Sequence, residues 1–295
     1  MEIRESIKEL TILIANILSG LKNNKVKNII ITGATRGLGL SHAKYLTKNG
    51  YNIALVDMSE NACTVYGEAE SVSTILGELN QSSKAEFYSC DLTDYNETNA
   101  TFQKILNDFG NLEGAVLNTG GDIKGMDQNA SGGKALNNSI DIGIDDHDTI
   151  FNRNYRTCFN SIKAIIPTMK KQKYGKIITT SSVSAGYGVT KETAYSTSKA
   201  AVIHLTRSAA AELREYDICV NCIAPGPTLT GRFKDTIKDR TEKDLEKIKG
   251  GTSFLTRVAD PIHISYLVEF LLSPKSDYIS GQIIRIDGGQ FTSPI

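Results

Sequence analysis

Residues Thr32-Gly33-Ala34-Thr35-Arg36-Gly37-Leu38-Gly39 follow an apolar run, Asn28-Ile29-Ile30-Ile31, and lead into an amphipathic stretch over 38–48. A strand that turns through glycine into a helix gathers free main-chain N–H groups and the positive end of the helix dipole at one point. With no Cβ at Gly33, Gly37 and Gly39, a bulky anion can approach that backbone closely. The anion such a turn suits is the pyrophosphate of a dinucleotide, with Thr35, Arg36 and Leu38 completing the contact surface. A glycine triplet alone is a weak signal. Its placement between a strand and a helix is what gives it weight.

The next strand outward ends in Val56-Asp57, 18 residues after Gly39. A carboxylate there accepts hydrogen bonds from an adenosine ribose diol and repels a 2′-phosphate. Arg36 pulls the other way, because a guanidinium in the turn suits that phosphate. The strand tip lies nearer the ribose, so the expected cofactor is NAD, with NADP as the alternative.

The same rhythm continues along the chain. Strand-like runs fall at 28–32, 52–57, 85–89, 114–118, 176–181, 218–224 and 282–286. Helical periodicity falls between them at 38–48, 71–80, 95–109, 150–171, 194–214 and 262–272. Strict alternation of strand and helix implies right-handed crossovers and a parallel sheet covered on both faces. The expected fold class is α/β: a single doubly wound parallel-sheet Rossmann-like domain over 27–295. Before it, 1–26 form an N-terminal helical extension, with Ile3, Ile7, Leu10, Ile14, Ile17 and Leu21 at helical spacing. Two long segments, 120–145 and 227–257, follow strands, where loops of an open α/β sheet cover the ligand crevice. Both are candidate lids, the second with Gly250-Gly251 as a hinge.

Bulk properties exclude several function classes. The 33 basic and 33 acidic residues cancel, which removes the electrostatic footprint of nucleic-acid binding. No stretch reaches the roughly 18 apolar residues of a membrane span. The N-terminus lacks the charge pattern of a secretory signal, and five cysteines fit free thiols in a reducing, cytoplasmic setting. Cys219-Val220-Asn221-Cys222 reads as a CxxC, but positions i and i+3 of a strand face opposite sides. Asp145, Asp146 and Asp148 open a helix, and Lys170 and Lys171 close it, as its dipole prefers; no metal site is expected.

Chemistry concentrates at the helix entered at Ala194. Tyr195 and Lys199 stand at i and i+4, on one helical face. An ammonium beside a phenol favours the phenolate, and such a tyrosine can give a proton to an alkoxide or take one from an alcohol. Thirteen residues upstream of Tyr195, at a strand end, lies Ser182, whose hydroxyl suits a substrate oxygen.

Together these residues closely resemble the short-chain dehydrogenase/reductase family in its classical branch, over about 27–289. The turn matches TGxxxGxG, Tyr195-x-x-x-Lys199 matches the active-site signature, and Ser182 matches its serine. Asn154 matches the family's helical asparagine, and Asp91-Leu92 its adenine contact after the third strand. Asn118 and Gly120 stand for the Asn-Asn-Ala-Gly segment, with Leu117 in place of its first asparagine. Pro225, Gly226, Thr228 and Thr230 resemble the segment that closes over the nicotinamide.

The resemblance implies an NAD(P)-dependent hydride transfer between nicotinamide and a carbonyl or secondary alcohol. In it Tyr195 is the acid/base and Ser182 orients the substrate oxygen. Lys199 lowers the tyrosine pKa and binds the nicotinamide ribose, and Asn154 anchors a water relay. It also implies a homotetramer or homodimer built through helices 95–109 and 150–171. Epimerisation or dehydration on the same residues, a non-catalytic nucleotide-binding regulator, and a structural subunit are the alternatives. The complete set Asn154, Ser182, Tyr195 and Lys199 argues against them.

Overall fold

Ile29-Ile30-Ile31 and Ile53-Ala54-Leu55-Val56 are apolar on both faces of an extended chain, so a strand built from them needs cover above and below. The computed structural model supplies that cover. It describes residues 27–122, 139–190, 192–238, 253 and 255–292. The N-terminal extension, most of the 120–145 segment, Gly250-Gly251 and Phe254 lie outside the described residues.

In chain order the strands are β1 (Lys27–Thr32), β2 (Tyr51–Asp57), β3 (Ala85–Ser89), β4 (Gly114–Leu117), β5 (Gly175–Thr180), β6 (Ile218–Pro225) and β7 (Ile283–Ile286). They form one parallel sheet in the order β3-β2-β1-β4-β5-β6-β7. The helices are α1 (Gly37–Lys48), α2 (Val72–Leu79), α3 (Tyr95–Phe109), α4 (Ile144–Phe151), α5 (Thr157–Gln172), α6 (Thr193–Leu213), α7 (Gly231–Lys238) and α8 (Pro261–Leu272).

Side-chain alternation along the strands splits the core in two. Ile30, Ala54 and Val56 pack with Phe102, Ile105, Ile165 and Val202 on one face. Ile29, Ile31, Ile53 and Leu55 pack with Leu46, Ile264 and Val268 on the other. Full burial of each such Ile or Leu stabilises by about 1.5–3 kcal/mol, which fixes the register on which the site depends. The winding reverses between β1 and β4, and a crevice opens beyond the carboxyl ends of the strands at that point.

Three departures from the expected elements bear on the site. The helix expected over 150–171 begins at Ile144 and is interrupted by a π turn at Asn152–Arg156. There the Asn154 amide bonds the carbonyl of Ile150 at 2.9 Å, and the N–H of Thr157 reaches back to Asn152. Leu117, which replaces an asparagine of the family pattern, is 3% exposed and belongs to the core, so packing supports the strand end. The second candidate lid contains a helix, α7, where an irregular loop was expected. Cys219 and Cys222 are both free and buried. No helix of the described residues is long and apolar enough to cross a membrane.

Candidate active site

The glycine turn joins β1 to α1 with Gly33 and Gly37 at φ of 62° and 55°, a conformation that favours glycine. Gly39 is required for another reason. A Cβ there would stand 2.0 Å from the Gly33 carbonyl oxygen, so α1 packs onto the turn only without one. The turn already holds an anion, for Gly37 N donates to the Glu68 carboxylate at 2.7 Å. The other oxygen of Glu68 accepts from Gly231 N at the start of α7, at 2.8 Å.

Asp57, at the tip of β2, accepts from the Thr35 amide (3.1 Å) and hydroxyl (2.7 Å). That ties the carboxylate to the turn, on the side where an adenosine ribose would lie. Arg36 stacks over the Tyr66 ring, 5.3 Å from its centroid. Leu38 packs against the core on its face of the sheet. Asp91 accepts from the Thr93 amide and hydroxyl through one carboxylate oxygen, and the Leu92 side chain is buried in the core.

Asn118 is held by its amide on the Thr32 hydroxyl at 3.0 Å, and the neighbouring Thr119 hydroxyl is buried with no partner. Along the segment from Pro225 and Gly226, Thr228 pairs with Ala259, which sets the Thr230 methyl 3.7 Å from where a Cβ of Gly37 would be. A cradle that admits no Cβ, an anion-holding amide and a buried hydroxyl without a partner all fit a dinucleotide.

The catalytic candidates converge beside this cradle. Asn154, on the π turn, accepts from Gly121 N at 2.8 Å and donates to Gly121 O at 3.0 Å. A Cβ on Gly120 would meet Asn154 Oδ1 at 2.5 Å and Lys199 Nζ at 2.8 Å, so Asn154 and Lys199 flank this glycine. Lys199 is 3% exposed and donates to Thr180 O at 2.9 Å. Burial pushes its ammonium down to about 8. Ser182, just past β5, accepts from the Ser184 amide at 3.3 Å and the Ser184 hydroxyl at 2.9 Å, and its side chain acts to lower the Tyr195 pKa.

The expectation that Lys199 lowers the phenol pKa is not met. Burial raises the Tyr195 pKa, and the groups acting downward are the Ser182 side chain and the charge of Arg232. Lys199 Nζ is 5.9 Å from the Tyr195 ring centroid and donates to Thr180 O.

Four residues of the site went unread in the sequence. Glu68 lies beyond the β2 tip, Asp122 beyond Gly121, Arg153 beside Asn154, and Arg232 in the lid. Arg153 alone had a signal, as the neighbour of a motif residue.

The chain matches the family described as Enoyl-(Acyl carrier protein) reductase over residues 33–290. It is 31% identical over 271 residues to the cyclohexanol dehydrogenase of Rhodococcus sp. (strain TK6), covering 89% of this chain and 95% of that one. It is 30% identical over 269 residues to 3-oxoacyl-[acyl-carrier-protein] reductase FabG of Staphylococcus aureus (strain Mu50 / ATCC 700699), covering 90% and 98%. Among solved structures it resembles 7α-hydroxysteroid dehydrogenase complexed with NADH and 7-oxo glycochenodeoxycholic acid. That likeness has a TM-score of 0.75 and 28% identity, and covers 89% of this chain and 98% of the other. The chain belongs to the short-chain dehydrogenase/reductase family, in its classical branch, and is an NAD(P)-dependent oxidoreductase acting on a carbonyl or secondary alcohol.

Proposed function

We propose that this short-chain dehydrogenase/reductase uses Tyr195 as its acid/base, with Ser182, Lys199 and Asn154 in support, and that it prefers NAD to NADP. The observation that carries the reading is the convergence of Asn154 Oδ1 and Lys199 Nζ on Gly120, beside Tyr195, whose pKa the Ser182 side chain acts to lower. A bound nicotinamide supplies or accepts the hydride. When a ketone is reduced, the Ser182 hydroxyl donates to the carbonyl oxygen and orients it. The Tyr195 hydroxyl then donates its proton to that oxygen as negative charge develops on it. In the reverse direction the phenolate takes the proton of the alcohol. Lys199 is set to bind ribose hydroxyls, and Asn154 holds Gly121 and the wall of the site.

The preference for NAD rests on Asp57, whose carboxylate is bonded to the turn residue Thr35 where a 2′-phosphate would need a cation. Arg36, the group that would favour NADP, is engaged with Tyr66. Small-molecule ketones and secondary alcohols are the substrates of this reading, and the cytoplasm its compartment. The domain boundary is set at residues 26 and 27. Assembly as a homodimer or homotetramer through α3 and α5 is supported by Phe159 on α5. Phe159 is 41% exposed and stacked 6.1 Å from Tyr155 on the preceding π turn. Light scattering tests this: a mass two or four times that of one chain is expected, and a monomer at micromolar concentration refutes it.

Tyr195→Phe keeps the ring and removes the proton. Turnover should fall by about two to four orders of magnitude, with NADH affinity changed far less. Wild-type turnover in this variant would remove Tyr195 from the acid/base role.

A further inference from the structure

Glu68, in the connection between β2 and α2, joins two distant elements with one carboxylate. One oxygen accepts from the N–H of Gly37, the first residue of α1, at 2.7 Å. The other accepts from the N–H of Gly231, the first residue of α7, at 2.8 Å. The approach is close, for a Cβ on Gly231 would stand 2.9 Å from the Glu68 carboxyl carbon. Thr230, just before α7, lies against the turn as well, its methyl 3.7 Å from where a Cβ of Gly37 would be. The phosphate turn and the lid helix are tied together through a single side chain.

Both amides open their helices, so neither has an acceptor one turn earlier in its own helix. A carboxylate meets there a free N–H and the positive end of a dipole, and such charge-assisted bonds are stronger than neutral ones. A phosphate finds the same provision at a turn of this kind. Two anions drawn to the one N–H of Gly37 would repel each other at contact distance. The Glu68 carboxylate and a pyrophosphate therefore exclude each other on this amide.

Glu68 also has another place to go. It lines a cavity of about 720 Å³ together with Lys44, Thr64, Gly67, Thr74 and Glu78. Lys44 Nζ stands on the wall of that cavity, paired with Glu78 at 2.6 Å. Gly67, immediately before Glu68, has a φ of 64°, and a Cβ there would meet nothing within 4 Å, so no side-chain packing pins the chain at that point. We propose that Glu68 is a built-in competitor of the cofactor phosphate and a latch on the lid. On Gly37 and Gly231 it fills the cradle and holds the start of α7. A dinucleotide displaces it into the cavity beside Lys44, and the same step frees the N–H of Gly231. This rests on the reading of 33–39 as the phosphate cradle.

The test is titration calorimetry with ADP-ribose, which carries the pyrophosphate but no nicotinamide, and with adenosine, which carries neither. Glu68→Ala should bind ADP-ribose about tenfold more tightly than the wild type, the gain from removing a latch that is closed in about nine molecules of ten. Glu68→Gln, which keeps an oxygen for one amide without the charge, should fall between the two. Adenosine affinity should stay within about twofold in all three proteins. Trypsin should cut α7 at Arg232 and Lys234 faster in ligand-free Glu68→Ala than in the ligand-free wild type, and saturating ADP-ribose should close that gap. Glu68 is half-buried in a connection between elements, and melting temperature checks the fold of each variant. Unchanged or weaker ADP-ribose binding by Glu68→Ala overturns the proposal. So does an equal gain for adenosine, which would place the effect away from the phosphate, and equal cutting of the two ligand-free proteins overturns the latch. Gly39→Ala reads the cradle separately. If it leaves ADP-ribose affinity unchanged, the cradle assignment fails and the proposal with it; if it weakens ADP-ribose while Glu68→Ala gains nothing, the proposal alone fails.

Discussion

Two glycines that both lie in helices should respond in opposite directions to the same substitution. Gly39 and Gly77 are helical, in α1 and α2, without positive φ. Alanine is the better helix former by about 0.5–1 kcal/mol, a gain both sites would share if nothing else intervened. At Gly77 nothing lies within 4 Å of the new Cβ, so Gly77→Ala should stabilise by that amount and raise Tm by about 1–3 °C.

At Gly39 the new Cβ meets three main-chain atoms: Gly33 O at 2.0 Å, Gly33 C at 2.8 Å and Ala34 Cα at 2.9 Å. Relief to a bare 3.0 Å demands about 1 Å of movement in the turn, because backbone cannot rotate aside as a side-chain tip does. Forced packing of that kind costs about 1–3 kcal/mol, more than the propensity gain. Gly39→Ala should therefore lower Tm by several degrees. It should also weaken NADH binding by tenfold or more, since the displaced residues belong to the candidate phosphate cradle. Differential scanning fluorimetry and NADH fluorescence titration read the two effects. If Gly39→Ala melts with the wild type and binds NADH within twofold of it, the close approach of α1 to the turn is not what demands glycine.

Asp57→Ala should erode the preference for NADH over NADPH, measured as a ratio of dissociation constants. Tighter NADPH binding by the unmodified enzyme would transfer the selecting role to Arg36. His42 is fully buried, its Nδ1 on Ser265 Oγ at 2.8 Å, and burial lowers its pKa from 6.5 to about 3. The unfolded chain therefore binds a proton below pH 6.5 that the folded protein refuses down to about pH 3, so His42 costs stability as pH falls through that window. Between pH 7 and pH 5 the wild type should lose about 2 kcal/mol more than His42→Gln in urea unfolding, and parallel curves would refute the linkage.

Much of this molecule is legible from local pattern. The order of strands and helices and the phosphate turn follow from side-chain period and glycine spacing, which act over a few residues. The i, i+4 pairing of Tyr195 with Lys199 follows from a single helical turn. Boundaries moved where tertiary contacts intervened, as at Asn154, whose amide takes the carbonyl of Ile150 and widens the helix into a π turn. No periodicity signals that event, because Gly121, the residue that fixes the other end of the Asn154 side chain, lies 33 positions away.

By itself the sequence determined the architecture and singled out the candidate cofactor cradle and the candidate catalytic side chains, because each is encoded in a short spacing or a residue type that local geometry demands. The tertiary structure alone decided the electrostatics. The spacing of Tyr195 and Lys199 points to Lys199 as the cation acting on the phenol, whereas the groups that lower the Tyr195 pKa are Ser182 and the charge of Arg232. Glu68 reaches Gly37 and Gly231, and Arg153 and Arg232 meet at Asp122, across separations of 31 to 163 residues. Coulomb energy depends on distance and dielectric in space, and chain folding sets both.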